Sequence, residues 1–203
     1  MPVIGVTGSF GSGKSTVAGM FGRRGALVFD ADKAVHELLK GPGPAVRAVV
    51  KIFGPQICSS GGIDRVKLAR LVFNDRTKLK ALTDILHPFA RRQALMFIRR
   101  EDRRRMLVMD VPLLIESGWD KLVDVVVVVK AAQKEQLERL FKRSGTGRAQ
   151  ALKRIRMQMS LRTKIKFADY VVDNNGTLSD TNIQVQAIIK ELTEKQRLIG
   201  RSV

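Results

Sequence analysis

The sequence predicts an α/β protein built on a doubly wound, five-stranded parallel sheet, with a helical insertion and a helical lid attached to it, and three observations carry this expectation. The first is a set of five apolar, largely β-branched runs, Val3 to Thr7, Leu27 to Phe29, Met106 to Asp110, Val123 to Val129 and Tyr170 to Val172, with helix-length segments between them. Their hydrophobicity is continuous rather than alternating, most clearly from Val125 to Val129, which suits strands covered on both faces. The second is the glycine-rich octapeptide Gly8 to Ser15, GSFGSGKS, placed directly after the first run and before the helix-like Thr16 to Phe21. The third is a stretch of roughly 75 residues without a good strand between the second and third runs, far more than a βαβ crossover needs.

The elements follow in order. The octapeptide matches G-x-x-x-x-G-K-[ST] in full, and its setting between strand and helix makes it a phosphate loop. Glycines let the chain curl until successive N–H groups point at phosphate oxygens, and the next helix turns its positive end to the same anion. Gly8, Gly11, Ser12, Gly13, Lys14, Ser15 and Thr16 are therefore the expected contacts to ATP or another nucleoside triphosphate. Lys14 would reach the β/γ-phosphates and Ser15 would hold Mg²⁺. A ligand-free glycine turn is the plainer alternative, and the ordered sequence of strand, loop, Lys-Ser and helix argues against it.

The second strand runs into Asp30 and Asp32, the latter also placed to N-cap a helix from Lys33 to Leu39. The long stretch that follows reads as a helical, acceptor-binding insertion, about 31–103. Within it Pro44 opens a helix through Phe53, Gly54-Pro55 breaks it, and Asp64 caps Arg65 to Phe73. Asp75 starts another helix ending near Leu86, and Pro88 fits the first turn of a further one to about Arg100. After the fourth strand, Gln133 to Arg143 carries the apolar stripe Leu137, Leu140 and Phe141, with Glu135/Arg139 and Glu138/Lys142 spaced for i,i+4 pairs. Ser144 to Gly147 ends that helix, and another is expected from Arg148 to about Met159. This basic, acid-free stretch has the make-up of a lid, about 139–167. The last helix, about Leu178 to Leu198, presents Val185, Ile188, Ile189 and Leu192 at core spacing. One domain of 203 residues results, with its core in 1–30, 104–138 and 168–203.

Composition narrows the function. Hydrophobic residues at 44% and charged residues at 28% suit a globular protein rather than a disordered one. No export signal or membrane-length apolar run is evident, so a cytoplasmic location without membrane partners is expected. The single cysteine, Cys58, excludes an internal disulfide, and His36 and His87 lack zinc-site spacing. His87 reads as a structural or substrate-lining residue, and Trp119 as packing. The 37 Lys and Arg against 19 Asp and Glu leave a net charge of +18, which favours polyanionic ligands. From Arg139 through Ala168 there is no acidic residue, and a second basic cluster spans Arg91, Arg92, Arg99, Arg100, Arg103, Arg104 and Arg105 around Glu101 and Asp102. Most such residues form solvated helix faces and some should touch phosphate. Nucleic acid is not the expected partner, because one Trp and one Tyr offer few stacking platforms. A monomer acting on small molecules is expected.

Phosphoryl transfer asks for positioning and charge neutralisation, with a carboxylate to take or orient the acceptor proton. Ligands of open α/β sheets sit outside the carboxyl ends of the strands, which points to Asp30, Asp32 and Asp110. Asp110, closing Leu107-Val108-Met109, suits the Mg²⁺ side, directly or through water. The choice of base among these carboxylates is open at this level.

Four motifs in order, TGSFGSGKST at Thr7 to Thr16, FDADKAVHEL at Phe29 to Leu38, DVPLLIESG at Asp110 to Gly118 and FADYVVDNNG at Phe167 to Gly176, resemble those of the dephospho-coenzyme A kinases over nearly the whole chain. LHPFARR at Leu86 to Arg92 and LERLFKR at Leu137 to Arg143 are similar to that family as well. The resemblance implies transfer of the ATP γ-phosphoryl group to the ribose 3′-hydroxyl of dephospho-coenzyme A. It also implies Asp32 as the base with Asp30 in support, Thr7 and the insertion around His87 lining the acceptor, and Arg139 and Arg143 meeting phosphates or adenine. Asn174, Asn175 and Gly176 would border the adenine, a turn whose amides can read a purine edge. Ser144, and the run Gly145 to Gln150, lack acidic residues often found there in the family. The competing reading is another small-molecule kinase acting on a nucleoside or nucleotide. A GTPase is disfavoured, since neither N-K-x-D nor a D-x-x-G after the third strand is present.

Overall fold

In the computed structural model, which describes residues 1–72, 75–101 and 105–199, the chain forms two compact units, Met1–Asp30 with Glu101–Val203, and Ala31–Arg100. The first unit holds β1 (Val3–Gly8), α1 (Lys14–Gly22) and β2 (Leu27–Asp30). The second holds α2 (Ala31–Leu38), α3 (Pro44–Phe53), β3 (Cys58–Ser59), β4 (Gly62–Ile63), α4 (Arg65–Val72) and α5 (Arg76–Arg100). The chain then returns to the first unit with β5 (Leu107–Asp110), β6 (Val125–Lys130), α6 (Gln133–Ser144), α7 (Arg148–Arg156), α8 (Leu161–Ile165), β7 (Tyr170–Asp173) and α9 (Leu178–Ile199).

All five expected strands form, and they pair in the order β2-β5-β1-β6-β7, every pair parallel. Val125 to Val129 are all buried, as their unbroken apolarity demands of a strand with helices on both faces. Phe21 of α1 and Val185 of α9 close over Ile4, Val127 and Val172 to make the core of this unit. Register places Asp30 beside Asp110, and Asp110 beside Val6, so two carboxylate-bearing strand ends meet next to the end of β1.

The second unit packs Val49 and Phe53 of α3, Leu68 and Val72 of α4 and Leu86 of α5 into a core of its own. Pro44 opens α3 and Gly54 ends it. The Asp64 carboxylate caps α4 by accepting from the N–H groups of Val66 and Lys67 at 2.9 and 3.1 Å. Asp75 accepts from Thr77 and Lys78 in the same way at the head of α5.

Several expectations are corrected. Pro88 does not open a helix; it lies inside the continuous α5. A proline there removes one hydrogen bond and crowds the carbonyl four residues back, costing about 3 kcal/mol. Leu86, Ala90 and Ala94 are buried on either side of it, so packing of both flanks offsets the break. The short antiparallel pair β3 and β4 was not expected, because strands of two residues carry no periodicity. Helix α2 begins at Ala31, which puts Asp32 in its first turn rather than at its N-cap. Phe141 is 66% exposed and stands outside the packed stripe that Leu140 joins. The pairs Glu135/Arg139 and Glu138/Lys142 do not form; Arg139 turns to backbone carbonyls instead. Helix α7 ends at Arg156, and Ser160 caps the separate α8 by accepting from Thr163 N–H at 3.1 Å. Phe73, Asp102, Arg103 and Arg104 lie outside the described residues.

Candidate active site

The phosphate loop is made by backbone that favours glycine at three points, Gly8, Gly11 and Gly13, and at the first and last a side chain would also collide. Gly8 closes β1 at φ 155°, and a Cβ there would strike the carbonyl oxygen of Val129. Gly13 leads into α1 at φ 93°, and a Cβ there would strike the side-chain amide of Asn174. Between them Ser12 N–H donates to the Ser9 carbonyl at 3.1 Å, and Val17 N–H to the Gly13 carbonyl at 3.1 Å begins the helix. Helix α1 has no side-chain cap and no acidic residue in its first turn, so its N-terminal N–H groups and dipole are left for an anion. Lys14 is only 8% exposed, and its Nζ donates to the Ser9 carbonyl at 3.0 Å, folded over the loop it serves. Ser15 and Thr16 are exposed on the first turn of α1.

Behind the loop stands a brace assembled from far along the chain. The buried Asn174 donates through Nδ2 to the Ser12 carbonyl at 2.8 Å, and its Oδ1 accepts from Thr181 Oγ1 at 2.9 Å. Arg139 donates to the carbonyls of Asn174 at 2.8 Å and Ser12 at 3.5 Å. Ser9 Oγ donates to Gln136 Oε1 at 3.4 Å, and the same amide donates to the Ala131 carbonyl at 2.8 Å. Asn175 and Gly176 are exposed, and Asn175 Oδ1 accepts from Ala132 N–H at 2.6 Å. Burial acts to raise the Asp173 carboxyl, but Lys130 at 3.0 Å and the Asn175 N–H outweigh it and hold it below its ordinary value. Arg143 is exposed one turn beyond Arg139. The Arg154 guanidinium of α7 lies over the ring of Phe10, at the loop tip, 5.3 Å from its centroid, a cation–π contact.

Thr7 is fully buried, and its hydroxyl donates to the Pro112 carbonyl at 3.1 Å. Beside it lies Lys164, also fully buried, whose Nζ donates to the Pro112 carbonyl at 2.9 Å and to Thr7 Oγ1 at 3.4 Å and pairs with Glu116 at 2.9 Å. Glu116 in turn accepts from Met159 N–H at 3.0 Å, tying the start of α8 to the segment after β5. Asp110 is 4% exposed and Asp30 half-buried on neighbouring strand ends. The first unit thus brings together the loop residues, Thr7, Asp30, Asp110, Arg139 and Asn174. Asp32, exposed on α2, and His87, half-buried on α5, belong to the second unit.

Sequence reasoning overlooked Lys164, Glu116 and Gln136. Glu116 sat inside a quoted motif and could have been found there. Lys164 is one of ten basic residues in an acid-free run, and nothing local distinguishes the buried one.

A parallel sheet whose central strand ends in a braced Gly-x-x-x-x-Gly-Lys-Ser loop at an uncapped helix N-terminus defines a P-loop protein. The model of the family described as dephospho-CoA kinase matches residues 2–180. A dephospho-CoA kinase from Carboxydothermus hydrogenoformans is 39% identical over 198 residues, covering 94% of each chain. A solved protein from Thermus thermophilus superposes with a TM-score of 0.79 at 35% identity, covering 94% of this chain and 97% of that one. The solved dephospho-CoA kinase from Campylobacter jejuni gives a TM-score of 0.64 at 25% identity over 93% and 96%. The chain belongs to the dephospho-CoA kinase family. Among the described residues no helix is long and apolar enough to cross a membrane.

Proposed function

We propose that this protein transfers the γ-phosphoryl group of ATP to the ribose 3′-hydroxyl of dephospho-CoA, yielding ADP and CoA, the final step of CoA biosynthesis. The observation that carries the reading is the pre-formed phosphate loop, with Lys14 folded over it, in a chain of this family. The loop N–H groups from Gly8 to Thr16 and the Lys14 ammonium grip the β- and γ-phosphates. The 3′-oxygen attacks the γ-phosphorus as the bond to the ADP oxygen breaks, and the hydroxyl proton passes to the Asp32 carboxylate. Asp30 supports Asp32, and Thr7 and His87 serve the acceptor side.

Asn174 and Arg139 hold the Ser12 carbonyl and so keep the loop in shape, while Asn175 and Gly176 border the adenine. Arg143 and Arg154 belong to a lid, about 139–167, whose cations offset charge on the transferring phosphoryl group. Mg²⁺ is bound in such sites by one or two side chains together with phosphates and water. Ser15, exposed at the head of α1, and the buried Asp110 at the adjoining strand end suit that demand, and the ion would neutralise β/γ-phosphate charge. A cytoplasmic location accompanies this reading.

The test is incubation with ATP and Mg²⁺ and either dephospho-CoA, adenosine, AMP or buffer, following ADP release. ADP formation with dephospho-CoA in large excess over the other acceptors is the expected outcome. Release with nucleosides or nucleotides alone would establish the competing small-molecule kinase reading.

A further inference from the structure

Helix α2 carries Asp32 and, one turn later, His36. Residues four apart share a helix face with Cβ atoms about 5–6 Å apart, so these two side chains are neighbours on one face. Arg65, at the first position of α4, brings its guanidinium to His36: Nη1 lies 3.0 Å from Nε2 and 3.3 Å from Nδ1. This contact holds Arg65 without neutralising it. The carboxylates nearest in sequence are engaged elsewhere, Glu37 with Lys40 at 2.7 Å and Asp64 with the N–H groups of Val66 and Lys67. Among the described residues Arg65 makes no ion pair. A guanidinium is always charged and presents a fork of donors suited to phosphate. An exposed one that is pre-positioned by an imidazole, yet lacks a carboxylate, is matched to an anionic ligand.

Resting on the function proposed above, we infer that Arg65, steadied by His36, is the acceptor-specificity residue that binds the diphosphate on the 5′ side of the acceptor ribose. The spacing fits the ligand. A ribose 3′-oxygen and the phosphorus on the 5′-oxygen of the same sugar are separated by roughly one helical turn, about 5.4 Å. An acceptor whose 3′-hydroxyl meets Asp32 therefore carries its first 5′-phosphate about as far along as His36 and the guanidinium beside it. Arg65 takes no part in proton or phosphoryl transfer. It discriminates a nucleotide with a 5′-diphosphate arm from a bare nucleoside.

The test compares wild type, Arg65→Ala, Arg65→Lys and His36→Asn by steady-state kinetics in both substrates, with thermal midpoints measured alongside. Arg65→Ala should raise KM for dephospho-CoA about tenfold or more while kcat, KM for ATP and the midpoint hold. Arg65→Lys should recover much of the loss, and His36→Asn should show a smaller rise of the same kind. Added salt should raise the wild-type KM for dephospho-CoA more steeply than that of Arg65→Ala, because an ionic contact is screened. A dephospho-CoA KM unchanged in Arg65→Ala would overturn the inference. So would an equal rise in KM for ATP, or a lowered midpoint that Arg65→Lys leaves unrepaired. If wild type fails to phosphorylate dephospho-CoA at all, the proposed function itself is refuted; if it does so normally and Arg65→Ala matches it, only the role of Arg65 is.

Discussion

The phosphate loop of the first unit and the α2 face of the second solve opposite problems. Around the loop, groups are held by one another: Lys14 by the Ser9 carbonyl, the Ser12 carbonyl by Asn174 and Arg139, Ser9 by Gln136. On α2 and α4 the groups of interest, Asp32, His36 and Arg65, are exposed or half-exposed. The contrast teaches where binding free energy is set in advance. A triphosphate meets donors already ordered by the fold, which lowers the cost of organising them at the moment of reaction. On the function proposed above, the acceptor would meet side chains on a helix face, where the Arg65 guanidinium makes no ion pair among the described residues.

If the two regions divide the work this way, variants should separate them. The largest effect is expected for Asp32→Asn, which should lower kcat about 10²- to 10⁴-fold while ATP affinity, measured by titration, is retained. A near-normal kcat would move the proton acceptor elsewhere and break the comparison. Lys14→Ala should cost about 10²- to 10³-fold in turnover and raise KM for ATP with it. Normal kinetics there would remove the phosphate loop from the mechanism.

The two buried polar assemblies of the first unit sharpen the contrast further. Lys164→Met removes a fully buried ammonium from the Pro112 carbonyl, Thr7 and the partly exposed Glu116, and denaturant unfolding should show a loss of about 2–3 kcal/mol. The exposed Arg65→Ala should show almost none, so equal losses would erase the distinction between a built interior and an open face. Asn174→Ala should cost less than Lys164→Met, about 1 kcal/mol in stability, because the Ser12 carbonyl loses its 2.8 Å donor and keeps only Arg139 at 3.5 Å, with KM for ATP raised and KM for dephospho-CoA steady.

Much of this architecture is legible in the sequence. The five strands follow from unbroken apolar runs, which only a sheet covered on both faces can bury, and the loop follows from a local pattern whose glycines are needed for local backbone angles. Asp64 and Asp75 announced two helix starts because a cap acts within three residues. Other features were hidden for equally definite reasons. Pro88 marked a helix start by local rules, and burial on both sides of it overrode them. The i,i+4 spacing promised Arg139 a partner in Glu135, but two backbone carbonyls from distant segments offer it a better one. Phe141 shared the period of its neighbours, yet it is 66% exposed while Leu140 is buried.

The order of residues along the chain thus dictated the α/β architecture, the phosphate grip and the acidic strand ends, since each depends on interactions spanning a few positions or on runs that cannot stay in water. Tertiary structure alone selected which of many cations is interior, which amide holds the loop and which arginine stands uncompensated beside His36. Those outcomes turn on desolvation and on partners distant in the chain, 29 positions apart for His36 and Arg65 and more than a hundred for Ser12 and Asn174 or Thr7 and Lys164, and no local pattern carries that information.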